Sequence, residues 1–217
     1  MDFEQARFNM VEQQIRTWAV LDQRVLDLVG QLHREDFVPT QYRKLAYADM
    51  RIPLGHDQVM MTPKTEARLL QELQIKPQDR ILEVGTGSGY LTALLARSGA
   101  EVVSLEIHSE LASEAEQKLA AHIISNATIV VGDAAKTYEK YGSFDVIVLT
   151  GSVPRMPNYY KKILNEGGRL AAIVGQSPVM EAIIGTRVNE TDWVERSVFD
   201  TDLPRLIGVD EPPKFIF

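Results

Sequence analysis

The sequence has 217 residues, of which 45% are apolar and 24% charged; this balance excludes intrinsic disorder and allows one domain with a substantial core. It contains no cysteine, which excludes disulfide frameworks, thiolate metal sites and cysteine nucleophiles. The net charge of -7, without a Lys/Arg cluster, argues against nucleic acid as the main partner.

Two further features bear on where the chain works. No apolar run approaches the ~18–20 residues of a membrane span. The start, Met1-Asp2-Phe3-Glu4-Gln5, lacks the basic and then apolar order of a signal peptide. Together with the absence of cysteine, these features predict a cytoplasmic chain without membrane contact. We expect it to act as a monomer.

The first predicted region covers residues 1–62 and has apolar residues at helical spacing. Two amphipathic helices are expected, one with Phe8, Val11, Ile15 and Trp18 on its apolar face and one with Val25, Leu26, Val29 and Leu32. Asp22 is placed to cap the second of them. We therefore expect a helical N-terminal extension ahead of a main unit that covers residues 63–217, the two packing as one compact body.

From about residue 80, short β-rich runs alternate with helical ones. Buried strands are predicted at Ile81–Val84, Val102–Leu105, Thr128–Val131, Asp145–Leu149 and Leu170–Val174. Helices are predicted at Leu91–Arg97, Ser109–Ala121 and roughly Pro157–Leu164. The pattern at Met180–Val188 and Trp193–Phe199 predicts an antiparallel strand pair, followed by an irregular tail that contains proline. The predicted fold is α/β: a Rossmann-like, doubly wound, mostly parallel sheet of seven strands that ends in the antiparallel pair.

The strongest chemical feature is a glycine-rich loop, Glu83-Val84-Gly85-Thr86-Gly87-Ser88-Gly89-Tyr90, where the first parallel strand turns into a helix. Glycines at alternate positions let the backbone turn tightly and approach a ligand, because no Cβ intervenes. Ligands of open α/β sheets bind outside the carboxyl ends of the strands. We therefore expect Gly85, Thr86, Gly87, Ser88 and Gly89 to bind a cofactor.

Acidic residues at the ends of the first three strands indicate which cofactor. Glu106 ends the second strand, next to Ile107, where its carboxylate can accept both hydroxyls of a ribose. Asp133, in Gly132-Asp133-Ala134, can accept from an adenine amino group, and Glu83 adds a third acid. Tyr90 stands where a dinucleotide fingerprint needs glycine. An acidic, glycine-lined pocket favours a cationic nucleoside over a phosphorylated one, so S-adenosyl-L-methionine fits and ATP does not.

These motifs together resemble class I S-adenosylmethionine-dependent methyltransferases. The set also includes Phe144-Asp145-Val146-Ile147 and Glu166-Gly167-Gly168-Arg169-Leu170. The segments Arg34-Glu35-Asp36-Phe37-Val38-Pro39, Leu45-Ala46-Tyr47-Ala48-Asp49 and Ile52-Pro53-Leu54-Gly55-His56-Asp57-Gln58 further resemble protein-L-isoaspartate O-methyltransferases. The likeness runs from about Met10 to Gly175. It implies that the N-terminal region packs over the cofactor and helps to form the acceptor site, and that isoaspartyl carboxylates in damaged proteins are esterified.

The acceptor loop departs from that family. The family's loop reads Gly-x-Gly-Gln-Thr-Ile-Ser-x-Pro, whereas this chain reads Gly55-His56-Asp57-Gln58-Val59-Met60-Met61-Thr62-Pro63. Val59 and Met61 thus replace a threonine and a serine, and two hydroxyl groups are lost. By the resemblance, Gln58, Met61 and Thr62 are the candidate acceptor-loop residues. Thr62, followed by Pro63, is also a typical helix N-cap.

Alternatives remain open at this point. The chain could use the same cofactor on a small molecule or another macromolecule, as the loss of the two hydroxyls allows, or bind the cofactor without catalysis. The segment Thr150-Gly151-Ser152-Val153-Pro154 departs more mildly from the family's run of small residues. His33, His56, His108 and His122 are isolated, so no metal site is expected. Trp18 and Tyr159-Tyr160 are expected in the core rather than in an aromatic acceptor pocket.

Overall fold

The computed structural model describes residues 2–209, and its N-terminal part is mainly helical. Helix α1 covers Phe3–Asn9 and continues through a π-helical segment, Met10–Ile15, into a 3-10 turn at Arg16–Trp18. Helix α2 covers Gln23–Gln31, and the Asp22 carboxylate caps it by accepting a hydrogen bond from the backbone N–H of Arg24 at 2.9 Å. Both predicted helices, and the cap, are confirmed, but Phe8, which we expected on the apolar face of the first, is 60% exposed.

The N-terminal region also contains a β-hairpin that the helical pattern did not predict. Strand β1 (Ile52–Gly55) pairs antiparallel with strand β2 (Gln58–Met60). The two turn residues, His56 and Asp57, have φ values of 52° and 57°, as a two-residue hairpin of the tightest kind requires. Strands of four and three residues are too short to show an alternating pattern, which is why the sequence did not reveal them.

A mixed sheet of seven strands forms the centre of the protein. Its strands are β3 (Arg80–Val84), β4 (Glu101–Glu106), β5 (Ala127–Val131), β6 (Phe144–Val153), β7 (Leu164–Gln176), β8 (Val179–Arg187) and β9 (Trp193–Thr201). Helices α3 (Pro63–Leu73), α4 (Tyr90–Ser98), α5 (Ser109–Ala121), α6 (Ala134–Thr137) and α7 (Asn158–Lys161) lie between them or precede them. No helix among residues 2–209 is long and apolar enough to span a membrane.

The strand order is β5-β4-β3-β6-β7-β8-β9. Strands β3 to β7 are parallel, whereas β8 pairs antiparallel with both β7 and β9. The predicted α/β class, with a mostly parallel sheet and a terminal antiparallel pair, is confirmed. Because the chain reverses its direction across the sheet between β3 and β6, the carboxyl ends of these two strands flank a switch point, where open α/β sheets bind their ligands.

Two local predictions differ from the structure, and a third falls outside the described residues. Strand β5 is not buried on both faces, because it lies at the edge of the sheet, and Val131 is 56% exposed. Helix α7 has only four residues, since β7 already begins at Leu164 instead of near Leu170. Residues after Val209, including most of the predicted irregular tail, lie outside the described part of the chain.

One apolar core joins the N-terminal region to the sheet. Met10, Ile15 and Leu26, from the first two helical segments, belong to the same buried cluster as Ile81 of β3 and Leu94 of α4. Ile52 and Met60 of the hairpin are in that cluster too and are at most 3% exposed. The hairpin is therefore fixed beside the carboxyl ends of the strands, next to the glycine loop.

Candidate active site

A cleft opens at the carboxyl ends of the parallel strands, with about 780 Å³ not filled by protein atoms. Its lining includes the hairpin with the residues that follow it, the glycine loop after β3, the ends of β4 and β6, the loop after β5 and a segment near residue 206. The predicted site residues that line it are Gln58, Met61, Glu83, Gly85, Thr86, Gly87, Ser88, Glu106, Ile107, Gly132 and Ala134. Sequence positions far apart thus meet in one place.

The glycine loop has a backbone that other residues adopt only with strain. Gly85 has φ +97°, and a Cβ there would collide with the hydroxyl of Thr150. That hydroxyl donates to the carbonyl oxygens of Val84 and Gly85, at 2.9 and 2.6 Å. Gly87 has φ +53°, and a Cβ there would lie 3.2 Å from the Leu54 side chain of the hairpin. The loop therefore runs between β6 and the hairpin in a space that suits glycine.

The Glu106 carboxylate holds the glycine loop through a hydrogen bond to its backbone. Its Oε2 accepts a hydrogen bond from the backbone N–H of Gly87 at 2.8 Å, and its Oε1 accepts from the N–H of His108 at 3.0 Å. The residue is only 4% exposed but lines the cleft. Since a carboxylate has about four acceptor positions, it retains acceptors for ligand hydroxyls.

Glu83 is a buried acid, and only one of its two carboxylate oxygens has hydrogen-bond partners. Oε2 accepts hydrogen bonds from the hydroxyls of Thr92 and Ser104, at 2.5 and 2.6 Å. Oε1 has no hydrogen-bond partner among the described residues, although the residue is fully buried and lines the cleft. Burial, opposed by the two hydroxyls, raises the pKa of Glu83 to about 8. An unpaired buried oxygen of this kind favours a cationic or donor ligand.

The hairpin covers part of the cleft. Leu54 of β1 lies over Gly87, and the imidazole of His56 stacks on that of His108 with ring centroids 4.3 Å apart. His108 follows β4 and also lines the cleft. The hairpin tip therefore rests on the loop after β4. Within residues 2–209 no group of three histidine or acidic side chains is arranged to hold a metal ion.

The acceptor-loop candidates divide into two groups. Gln58, Val59 and Met61 line the cleft. The Thr62 side chain instead caps α3, since its Oγ1 accepts from the N–H of Thr65 at 3.4 Å and shares a hydrogen bond with the Thr65 hydroxyl at 2.9 Å. The alternative interpretation of Thr62 as an N-cap before Pro63 is confirmed. Its hydroxyl is thus engaged away from the cleft.

Two of the predicted cofactor residues do not line the cleft. Gly89 caps α4 and packs against Ala115 of α5. The Asp133 carboxylate caps α6 by accepting from the N–H of Ala135 at 3.0 Å, and it pairs with Lys136 at 2.8 Å. Its neighbours Gly132 and Ala134 do reach the cleft. Like Glu106, the carboxylate keeps further acceptor positions beyond these two partners, so its contact with an adenine stays a prediction.

Sequence reasoning missed several residues of the cleft wall. Glu66 reaches it from α3, and Leu206 and Ile207 reach it from the segment after β9. That segment is held by two backbone hydrogen bonds at Ser152 of β6, one to the Pro204 carbonyl at 2.8 Å and one from the Leu206 N–H at 2.9 Å. A single bridge between two positions far apart in the chain produces no periodic pattern, so the sequence did not indicate it.

The aromatic candidates lie outside the cleft: Tyr160 is in the core, and Trp18 packs on Phe199.

Comparisons with known proteins agree with this geometry. The model of the protein-L-isoaspartate(D-aspartate) O-methyltransferase family matches residues 5–197. A relative named protein-L-isoaspartate O-methyltransferase, from Methanoculleus marisnigri, is 40% identical over 78% of this chain and 77% of its own. One of the same name from Koribacter versatilis is 37% identical over 93% and 90%.

The fold comparison points the same way. A candidate protein-L-isoaspartate O-methyltransferase from Plasmodium falciparum, solved in complex with S-adenosyl-L-homocysteine, superposes with a TM-score of 0.80 at 21% identity. The match covers 92% of this chain and 97% of that one. At this identity the likeness establishes the fold, which is shared over almost the whole of both chains.

Proposed function

Because the chain belongs to the protein-L-isoaspartate(D-aspartate) O-methyltransferase family, we propose that it transfers a methyl group from S-adenosyl-L-methionine to the free carboxylate of isoaspartyl residues in damaged proteins and peptides. One observation carries the choice of cofactor. The cleft is lined by Glu66, Glu83 and Glu106 and, among its described lining residues, by no lysine or arginine. Arg34 pairs with Glu66 from behind the wall, so Glu83 and Glu106 are the acids that favour a cationic nucleoside over a phosphorylated one.

The residues present fit that cofactor. Glu106, which holds Gly87 and His108, would accept the two ribose hydroxyls with its remaining lone pairs. Glu83 presents an unpartnered buried oxygen, the acceptor that an ammonium group needs. The open backbone of the glycine loop lets the ligand lie close to the chain. We propose Ile107, Gly132 and Ala134 as its further contacts.

The proposed reaction requires little acid–base catalysis from the protein. When bound, the cofactor supplies a methyl group on a positively charged sulfur. A carboxylic acid with a pKa near ~4 is already ionised at neutral pH, so no general base is required. The protein contributes by holding the acceptor in line, an effect worth up to about 7–11 kcal/mol. The apolar side chains of Leu54, Met61 and Leu206 exclude water from the cleft.

A second candidate function keeps the cofactor and changes the acceptor. Val59 and Met61 line the cleft, where the family resemblance implies two hydroxyls. A hydrogen bond to a charged group is worth about 1.5–3 kcal/mol, so its loss weakens carboxylate recognition by roughly one to two orders of magnitude. The apolar wall therefore favours a less polar acceptor as the runner-up. A labelled-methyl assay on an isoaspartyl peptide and on a cell extract separates the two candidates.

Restoring the hydroxyls tests the acceptor directly. The double variant Val59→Thr with Met61→Ser should raise kcat/KM on an isoaspartyl peptide by about 10-fold or more, because each new hydroxyl can donate to the acceptor carboxylate. Steady-state methylation kinetics measure the change, and Met50→Ser, the same change at an exposed methionine outside the cleft, serves as the control without gain. Unchanged or lower kcat/KM in the double variant would favour the second acceptor class.

Cofactor binding should release a proton from Glu83. Its raised pKa of about 8 keeps the free carboxyl largely protonated at pH 7, whereas the ammonium group of the ligand favours the ionised form. The affinity for S-adenosyl-L-homocysteine should therefore rise with pH and level off above about 8. Calorimetry at pH 7 in two buffers with different ionisation enthalpies measures the released proton. Glu83→Gln should remove the proton release, and its persistence in this variant would assign the proton to another group.

The same shift has a consequence for the ligand-free protein. The folded state binds more protons at Glu83 than the unfolded state does between its ordinary pKa of 4.5 and about 8. The contribution of Glu83 to the free energy of unfolding is therefore present below pH 4.5 and is lost as the pH rises through 8.

Location, assembly and domain division are part of the proposal. We propose a cytoplasmic monomer whose partners are isoaspartyl proteins or peptides and not nucleic acid or membranes; the cysteine-free, acidic composition supports this view. Residues 1–62 would serve as the lid and acceptor-loop region, and residues 63–217 as the cofactor-binding domain. Size-exclusion chromatography with light scattering tests the monomer.

A further inference from the structure

A buried arginine contacts the acceptor loop from behind. Arg34 lies in the 3-10 turn Arg34–Asp36 that follows α2, and it is 0% exposed. Its Nη2 donates to the backbone carbonyl of Met61 at 2.6 Å, and its Nη1 forms an ion pair with Glu66. Met61 and Glu66 both line the cleft. Arg34 does not line it, so it acts on the site only through these two neighbours.

The same guanidinium also contacts the helix that begins after the glycine loop. Its Cζ lies 4.7 Å from the ring centroid of Tyr90, the first residue of α4. The Tyr90 backbone N–H in turn donates to the hydroxyl of Ser88, inside the glycine loop, at 3.2 Å. One side chain therefore connects the acceptor loop, α3 and the N-terminus of α4.

We propose that Arg34 is a positioning residue for methyl transfer, which fixes the position of the Met61 backbone relative to the glycine loop. The inference rests on the proposed function for its activity readout. Since a peptide unit is planar, the hydrogen bond to the Met61 carbonyl fixes the orientation of the whole 61–62 peptide. Met61 has no side-chain hydroxyl to hold an acceptor, so the loop backbone determines where the acceptor lies. A displacement of about 1 Å can cost about 100-fold in rate.

Only arginine can make this set of contacts. Its planar guanidinium donates in two directions at once and keeps a flat face for the Tyr90 ring, whereas a lysine ammonium is a point charge. In an Arg34→Lys variant the ammonium would still pair with Glu66, but the fixed fork and the stacking on Tyr90 would be lost. The conservative variant therefore separates positioning from charge.

The competing explanation is an ordinary structural ion pair, and the chain contains a matched control. Arg169 of β7 pairs with Asp79 through Nη2 at 2.6 Å, and its Nε donates to the Leu73 carbonyl at 2.9 Å. Its side chain is only 13% exposed. Like Arg34, it joins a carboxylate to a backbone carbonyl of the α3 region, but neither it nor its partners line the cleft.

The experiment compares Arg34→Lys with Arg169→Lys in the full chain. For each we measure the melting temperature, the Kd for S-adenosyl-L-homocysteine, and kcat and KM for an isoaspartyl peptide at a temperature where both are folded. We expect Arg34→Lys to lower kcat/KM by about 10-fold or more, with Kd within about threefold of wild type. Arg169→Lys should change kcat/KM by less than about twofold. Equal losses of kcat/KM in the two variants would overturn the proposal.

A second readout does not depend on the acceptor. Hydrogen exchange of the amides of residues 59–62 should become faster in Arg34→Lys and stay unchanged in Arg169→Lys. Unchanged exchange at residues 59–62 in Arg34→Lys also overturns the proposal. If the wild-type chain binds the cofactor but does not methylate the peptide, the proposed acceptor fails while this exchange test still decides the role of Arg34. If Arg34→Lys does not fold, Arg34→Met combined with Glu66→Gln replaces it in the exchange test, because this pair removes the donor to the Met61 carbonyl without leaving a buried carboxylate unpaired.

Discussion

Replacement of Gly87 by valine is expected to weaken binding of S-adenosyl-L-homocysteine by more than about 100-fold, which is close to abolishing it. Gly87 has φ +53°, a conformation that costs a residue with a Cβ about 1–2 kcal/mol and a β-branched one more. A Cβ would also stand 3.2 Å from Cδ1 of Leu54, so the Leu54 side chain must yield to the added methyl groups, and we expect the strained loop to shift. The Gly87 N–H would then leave Glu106, which is its partner in the folded loop.

Calorimetry on purified Gly87→Val measures the loss, and Gly167→Val is the matched control. Gly167 also has a positive φ, +72°, but no atom lies within 4 Å of the position of its Cβ. Both variants therefore carry backbone strain, and only one is in the cleft. Wild-type affinity in Gly87→Val, or an equal loss in both variants, would contradict the placement of the cofactor at this loop.

The second large effect is expected from Glu106→Ala. This change removes the acceptor for two backbone N–H groups, those of Gly87 and His108, and with it the proposed acceptor for the ribose hydroxyls. Hydrogen bonds to a charged group contribute about 1.5–3 kcal/mol each, so two of them correspond to a loss of affinity of roughly 100-fold to 10,000-fold. Methylation at limiting cofactor should fall by a similar factor.

The control for this prediction lies on the same strand. Glu101 is the first residue of β4, at its opposite end, and forms an exposed ion pair with Arg80. Glu101→Ala should leave the Kd within about twofold of wild type, because exposed ion pairs contribute little. Titration of both variants with S-adenosyl-L-homocysteine, beside their melting curves, tests the difference. Tight binding by a folded Glu106→Ala variant would show that the ribose hydroxyls bind elsewhere.

The parts of the site that could be predicted from sequence are those that depend on local geometry. Glu106 and the glycine loop each follow a strand, and parallel strands bring their carboxyl ends to one edge, so their meeting follows from the fold class. The caps by Asp22 and Thr62 are equally local, since each depends on a side chain and a backbone N–H two or three residues away. The sheet could also be predicted, because its buried strands must be apolar and such apolar runs are visible in the sequence.

The parts that could not be predicted depend on contacts between distant positions. Arg34 and Met61 are 27 residues apart, and Leu206 reaches the cleft through a single bridge to Ser152. Asp133 shows a different limit: a residue suited to a ligand is also suited to a cap, and its oxygens contact the N–H of Ala135 and the ammonium of Lys136, so its role toward a ligand stays a prediction. A carboxylate after a strand therefore marks a place in the fold without specifying its partner.

The bridge between Ser152 and the segment after β9 has a consequence for synthesis of the protein. The sheet is complete once Thr201 has left the ribosome, yet one wall of the cleft still lacks Leu206 and Ile207. In the order of synthesis, the residues of the last strand thus precede those of the cleft wall. A nonsense mutation shortly after Thr201 would accordingly produce a polypeptide that contains every strand of the sheet but lacks one wall of the cleft.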